Sequence, residues 1–395
     1  MQNRSAISIR AITAGPKQHW FGYYDKLQFD PTERYVLGMQ VNFEHRSPRP
    51  EDLIRIGMID LGADDRWIDL GDSCAWGWQQ GCMLQWLPGP AGRVVWNDRQ
   101  DDHFVCHILE VETRRKRTLP HAIYALSPNG RSAIGTDFRR INDMRPGYGY
   151  AGIPDPNHSL FAPHDSGIYA LDLETGVSTG LISIAQVAAI PSPHADLTGA
   201  KHYFNHLLFN PDGTRFIFLH RWRVGEGGFQ TRMMTAAADG SDIRVIDDYG
   251  HTSHFIWRDP EHILAWSRHP SHGWAFYLYR DGAREVEVIG KGVMTLNGHC
   301  TYLPAGGYSR GWILNDSYAG QSAERRQQLY LYDVAGGTRI DLGAFYSPPA
   351  YDGEWRCDLH PRSSRDGRLL TIDSTHRGDG RQIYLLDIAE ILDRQ

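Results

Sequence analysis

Three histidines, His206, His254 and His360, each stand just ahead of a short apolar strand and the turn that follows it: Asn210-Pro-Asp-Gly213, Arg258-Asp-Pro260 and Ser363-Ser-Arg-Asp-Gly367. Imidazoles converging from several strands suit a divalent metal ion, which takes nitrogen, sulfur and carboxylate ligands. A neutral imidazole also serves as a general base near neutral pH. Asp358 and His360 share one face of their strand, because side chains alternate along it. His254, two repeats back, completes a set across the channel with Cys300 or His299 from the repeat between. The candidate ligands are therefore His254, Cys300, Asp358 and His360, for a manganese, zinc or calcium ion. His206 lies one repeat further away and is left free as a base. Arg221 and Arg223 close the hairpin that His206 opens, and an antiparallel return brings a guanidinium back to the same end, where it can clamp a carboxylate in two-pronged fashion.

These placements depend on a repeat. Strand, turn, strand, loop, strand recurs from Gly22-Tyr-Tyr-Asp-Lys26, Cys82-Met-Leu-Gln-Trp86, Ile123-Tyr-Ala-Leu126, His206, His254, Cys300-Thr-Tyr302 and His360. A third strand ends several copies with one pattern: Ile168-Tyr-Ala-Leu-Asp172, Leu329-Tyr-Leu-Tyr-Asp333 and Ile383-Tyr-Leu-Leu-Asp387. Repeats of roughly 40 to 50 residues, each a small antiparallel sheet, predict an all-β, seven-bladed β-propeller. The last copy lacks an outer strand, and Ala6-Ile-Ser-Ile-Arg-Ala-Ile12 is a strand without a partner. It is expected to close the ring and leave no free sheet edge. The whole chain, 1–395, reads as one domain. An insertion at about 139–200 on one face carries Arg145-Pro-Gly-Tyr-Gly-Tyr150 and a short helix over 182–189. The innermost strands place Lys26, Met83, Ile123, His206, His254, Cys300 and His360 around the channel, with Tyr24, Asp25 and Asn205 beside them. Tyr24, Lys26, Asn205, Arg223 and His121 are the expected substrate contacts. Trp222, Trp257, Tyr148 and Tyr150 offer flat faces to a sugar ring.

Composition removes other classes. The net charge of −6 comes with no long single-sign run, so neither nucleic acid nor a membrane surface is an expected partner. Five cysteines, an odd number, widely spaced and without a CxxC pair, indicate neither a disulfide framework nor a zinc knuckle. The first ten residues hold no apolar core of a signal peptide, so the expected location is cytoplasmic. No two acidic residues occupy matching channel positions, which argues against a two-carboxylate glycosidase.

The hairpin from Asn205-His206 to Arg223, with Ser253-His254-Phe-Ile-Trp257 and Asp358-Leu-His360-Pro361, resembles segments of the oligogalacturonate lyases. Gly22-Tyr-Tyr-Asp-Lys26, Asn97-Asp-Arg99, Arg145-Pro-Gly-Tyr-Gly-Tyr150 and Asp373-Ser-Thr-His376 resemble the related propeller lyases that cut ulvan and rhamnose–glucuronate linkages. The resemblance implies metal-assisted β-elimination next to a uronic acid in an imported oligosaccharide. His206 would be the base, and His254 and His360 metal ligands. Asp358 stands where the first group has a further metal-binding histidine, and Trp355 where it has a glutamine. In the ulvan-type group histidine, tyrosine and arginine share the chemistry; Arg221 fits the arginine, and Tyr24, Tyr148 and Tyr203 are tyrosine candidates, Tyr148 being the one taken. The alternative is a propeller that binds carbohydrate or protein without catalysis, its histidines around a structural ion.

Overall fold

The same local device shapes most of the hairpins. In the computed structural model, which describes residues 7–89, 92–304 and 311–393, the Asn210 side chain accepts the Arg215 amide at 3.0 Å while the Gly213 amide returns to the Asn210 carbonyl at 3.0 Å. Asp30, Ser127 and Ser364 receive Tyr35, Ser132 and Leu369 in the same way, at 2.7, 3.2 and 3.0 Å. A short polar side chain thus replaces a ladder bond and fixes where each strand pair turns. Gly213 takes φ +74°, which a residue with a Cβ adopts only under strain.

Each hairpin gains two more strands, giving seven four-stranded antiparallel sheets among the described residues. Their first strands are Gln18–Trp20, Gln85–Trp86, Ala125–Leu126, Ala200–Phe209, Phe255–Trp257, Thr301–Tyr302 and Arg362–Ser363. The seventh blade has Leu369–Ser374 and Gln382–Asp387 and is completed by Ser8–Ala11, paired Ser8 to Asp387 and Ala11 to Tyr384. The predicted closure is thereby met; Ala6 lies outside the described residues. Apolar side chains pack between neighbouring blades, for example Ile217, Leu219 and Met233 against Phe255, Ile263 and Tyr277.

Three details differ from the sequence reading. The excursion expected over 139–200 is smaller, because Gly167–Asp172 and Ser178–Ser183 are the third blade's outer strands. What remains is the loop before Gly167, with helix α1 (Phe138–Met144) capped by Asp137, and helix α2 (Ile184–Ala188) after the blade. The fourth blade's first strand begins at Ala200 and not at His206, with its ladder interrupted between Asn205 and Leu208. His206 sits in that interruption at φ +51°, and Met83 and His360, at two other channel positions, also have positive φ. Backbone in this region is costly for non-glycine residues and turns the side chain off the strand's regular alternation. No described helix is long and apolar enough to cross a membrane.

Candidate active site

Residues just before the first strands meet in the channel. His254 and His299 lie with ring centroids 4.2 Å apart, as do His299 and His360. His299, Asp358 and His360 offer ligand atoms that all lie within 4.8 Å of one another, and all three are buried. Cys300 is not among them. It packs with Leu264, Phe276 and Ile313 between the fifth and sixth blades. Side chains alternate, so a shift of one residue sends Cys300 into the blade and His299 into the channel.

Asp316 arranges this group. Its carboxylate accepts the His299 backbone amide at 2.6 Å, His299 Nδ1 at 3.0 Å and the His360 amide at 3.2 Å. With Nδ1–H donated to Asp316, His299 presents an unprotonated Nε2 to the channel. His254 Nδ1 lies 3.2 Å from Asn297 Oδ1, and its Nε2 faces the Tyr318 hydroxyl at 3.0 Å. The Tyr318 hydroxyl is also 3.4 Å from His299 Nε2. His360 Nε2 is buried without a hydrogen-bond partner. Burial, reinforced by the neighbouring His299, pushes His254 and His360 well below the ordinary histidine range, so both are neutral and able to give a lone pair. Two imidazoles, one of them with an orphaned buried nitrogen, and a carboxylate fit a divalent ion that accepts mixed nitrogen and oxygen ligands.

Arg356 and Tyr148 form the rim. Arg356 Nε donates to Asp358 at 2.7 Å, and its NH2 donates to the Tyr148 oxygen at 2.6 Å. Arg145 donates to the same oxygen at 3.1 Å and stacks over the Tyr148 ring at 3.9 Å. Tyr148 therefore stands at the rim, between two guanidiniums. Arg221 faces Tyr203 across its hairpin. Arg221 Nε and NH1, the Tyr203 hydroxyl, Asn205 Oδ1 and Arg223 Nε are buried atoms without partners. Unpartnered buried polar atoms are costly unless something binds them.

The base candidate, His206, is deeply set. Its Nε2 lies 3.0 Å from Asp25 and its ring stacks on Phe255 at 4.0 Å. Burial pushes its pKa down against the opposing pull of Asp25, so it is neutral. Burial would raise Asp25, but Lys26 and His206 outweigh it and hold the carboxyl at about 2.

Other expected contacts lie elsewhere. The Tyr24 hydroxyl donates to the Phe255 carbonyl at 2.7 Å and accepts the Phe255 amide at 3.1 Å, so it is a strut across the channel and not a substrate ligand. Lys26 pairs with Asp25 at 2.9 Å. It lines cavities of 360 and 250 Å³ at the hairpin-turn end of the channel, opposite the rim. His121 sits beside Tyr169 in a separate 270 Å³ cavity with His103 and Arg139. The channel position in that blade belongs to Tyr124, whose hydroxyl meets the His206 amide at 2.8 Å. Trp222, Trp257 and Tyr150 are buried and offer no face to a sugar. Asp316, Tyr318, Tyr23 and Arg356 were missed by the sequence reading. Arg356 carried a signal in its alternate spacing to Asp358, and Tyr23 in its place within Gly22-Tyr-Tyr-Asp-Lys26; Asp316 and Tyr318 carried none.

No protein-family model and no curated protein sequence matches the chain. Solved structures do. The oligogalacturonate lyase of Vibrio parahaemolyticus aligns with a TM-score of 0.68 at 14% identity, over 98% of this chain and 96% of that one. An oligogalacturonate lyase in complex with manganese aligns at 0.68 and 14%, over 99% and 96%. The β-propeller domain of the Trilobed protease from Pyrococcus furiosus aligns at 0.52 and 10%, over 93% and 96%. At these identities the likeness is one of fold: the chain is a seven-bladed propeller built like that of oligogalacturonate lyase.

Proposed function

We propose that the protein is a lyase that cleaves a glycosidic bond next to a uronic acid by β-elimination, with a divalent metal ion at His299, Asp358 and His360 and His254 beside them. The observation that carries this reading is the orphaned, neutral His360 nitrogen among converging donors, set beneath an arginine-lined rim and beside a neutral histidine held by Asp25. Abstracting the C5 proton of a uronate builds negative charge on a carboxylate that is already charged. When bound, a divalent ion supplies the positive charge that offsets it. Imidazole donors favour manganese or zinc over calcium, which takes oxygen.

The chain's own groups divide the remaining work. Arg221, with two unpartnered buried nitrogens, fits a sugar carboxylate, and Tyr203 and Asn205 fit its hydroxyls. Tyr148 accepts from two guanidiniums, which hold its hydroxyl at the rim where a sugar would meet it. The His206 side of the site takes the C5 proton, and the same site returns one to the leaving O4.

Incubation with a panel of uronate oligosaccharides should give the ultraviolet absorbance of an unsaturated product, and methyl esters of the same sugars should react more slowly because Arg221 loses its anion. Absence of absorbance across free and esterified galacturonates, glucuronates and ulvan fragments would reject the lyase reading. One observation favours the alternative of a non-catalytic binding propeller: the donors are buried beneath Arg356 and Tyr148, as ligands of a structural ion are. Sugar binding without product would support it.

A further inference from the structure

Both ring nitrogens of His206 are occupied by protein groups, which changes which residue can meet a substrate. Asp25, ionised and able only to accept, faces Nε2 at 3.0 Å, so Nε2 carries the proton. Nδ1 is then the acceptor, and the group facing it is the Tyr23 hydroxyl at 3.4 Å. The ring is held between these contacts by Phe255 on one face and Tyr24 at 5.7 Å, and Asp25 by Lys26. His206 itself has no free nitrogen to offer.

Tyr23 lies between His206 and the candidate ligands. Its ring centroid is 4.8 Å from His206, 5.4 Å from His360 and 6.3 Å from His299. Tyr148 and Arg145, at the rim, are close enough to act on its phenol. Tyr24, next in the chain, cannot substitute, because Phe255 satisfies its hydroxyl as both donor and acceptor.

We propose that Tyr23 is the residue that exchanges the proton with the sugar, and that His206 and Asp25 act behind it as a relay. This rests on the lyase reading. The C5–H and Tyr23 O–H bonds break as a new Tyr23 O–H bond and a His206 Nδ1–H bond form, and the C5 electron pair is delocalised into the sugar carboxylate. As the C4–O4 bond breaks and the C4=C5 double bond forms, Tyr23 gives its proton to O4 and recovers one from His206. No proton is gained or lost overall. Asp25 offsets the transient imidazolium and keeps the ring in the required tautomer, a positioning role.

The experiment compares full-length wild type with Tyr23→Phe, Asp25→Asn and His206→Gln, each checked for melting temperature and metal content. Tyr23→Phe should lower kcat by roughly 10²–10⁴-fold while KM stays within about threefold, since the lost hydroxyl acts in the transition state. Asp25→Asn, which keeps the shape, should also act on kcat. Nitrogen-15 spectra of histidine-labelled protein without substrate supply a readout apart from turnover. The resonance lost in His206→Gln should show a protonated Nε2 and an acceptor Nδ1, and that Nδ1 should shift in Tyr23→Phe. Tyr23→Phe turnover within about twofold of wild type, with His206→Gln inactive, would overturn the relay. So would a protonated Nδ1. Should Tyr23→Phe fail to fold, unchanged kcat in Asp25→Asn overturns it equally. If wild type forms no unsaturated product, the lyase reading falls, and the nitrogen spectra still decide whether the hydrogen-bond chain exists.

Discussion

Asp316 touches no expected substrate, yet it accepts from His299 twice and from the His360 backbone once. A carboxylate behind a ligating imidazole fixes the tautomer and ring plane, and its loss typically costs 10–100-fold in metal affinity. Asp316→Asn keeps the volume and exchanges one acceptor for a donor, so it should weaken binding of manganese or zinc by about that factor. Competition against a chelator of known affinity measures it, and an unchanged affinity would remove Asp316 from the site. Its position explains what the sequence could and could not show. His206, His254 and His360 were legible because the repeat puts them at one position. Cys300 in place of His299 is a one-residue error, invisible where the aligned strand is only Thr301–Tyr302. Asp316 ends a second strand, and Tyr23 follows from the direction of the His206 ring. Neither depends on spacing within a repeat.

Strands and turns were legible for a different reason. A capping side chain at most of the described turns is a local signal, and it marked those hairpins; the interruption at His206 is not local, since its amide is satisfied by Tyr124 from the neighbouring blade. The closing seam carries a further non-local contact. His19 Nδ1 lies 2.9 Å from Gln382 Oε1, and the Gln40 amide donates to its Nε2 at 2.8 Å, so the imidazole is held neutral between first and seventh blades. Burial pulls its pKa down to about 4, against the smaller upward pull of Gln382. The folded value lies below the ordinary 6.5, so this contribution is complete above about pH 6.5 and is lost as pH falls toward 4. Its full size is about 3 kcal/mol. The melting temperature should therefore fall across that window, and His19→Gln should flatten part of the fall. His202, also lowered to about 4, and the other buried histidines held below the ordinary range, His206, His220, His254 and His360, keep the rest. A His19→Gln curve parallel to wild type would separate His19 from the seam's acid sensitivity.

On the scale of the whole molecule, seven sheets share one channel, and its two ends differ. One end is rimmed by Arg145, Tyr148 and Arg356 above the imidazoles; the other opens at the hairpin turns, where Lys26 holds Asp25. The ring is only as continuous as the joint between Ser8–Ala11 and Gln382–Asp387, where Ser8 stands opposite Asp387. Both outward ends therefore lie at one end of that ladder. Tension applied through Ser8 and Asp387 falls on one residue pair at a time and peels the joint open, whereas tension along the strands in opposite directions would have to shear its four pairs together. Stretched between handles at these two residues, the molecule should yield first at low force, with a short extension confined to the joint. A first rupture that unravels several blades at once would show that the joint is not the mechanically weakest seam.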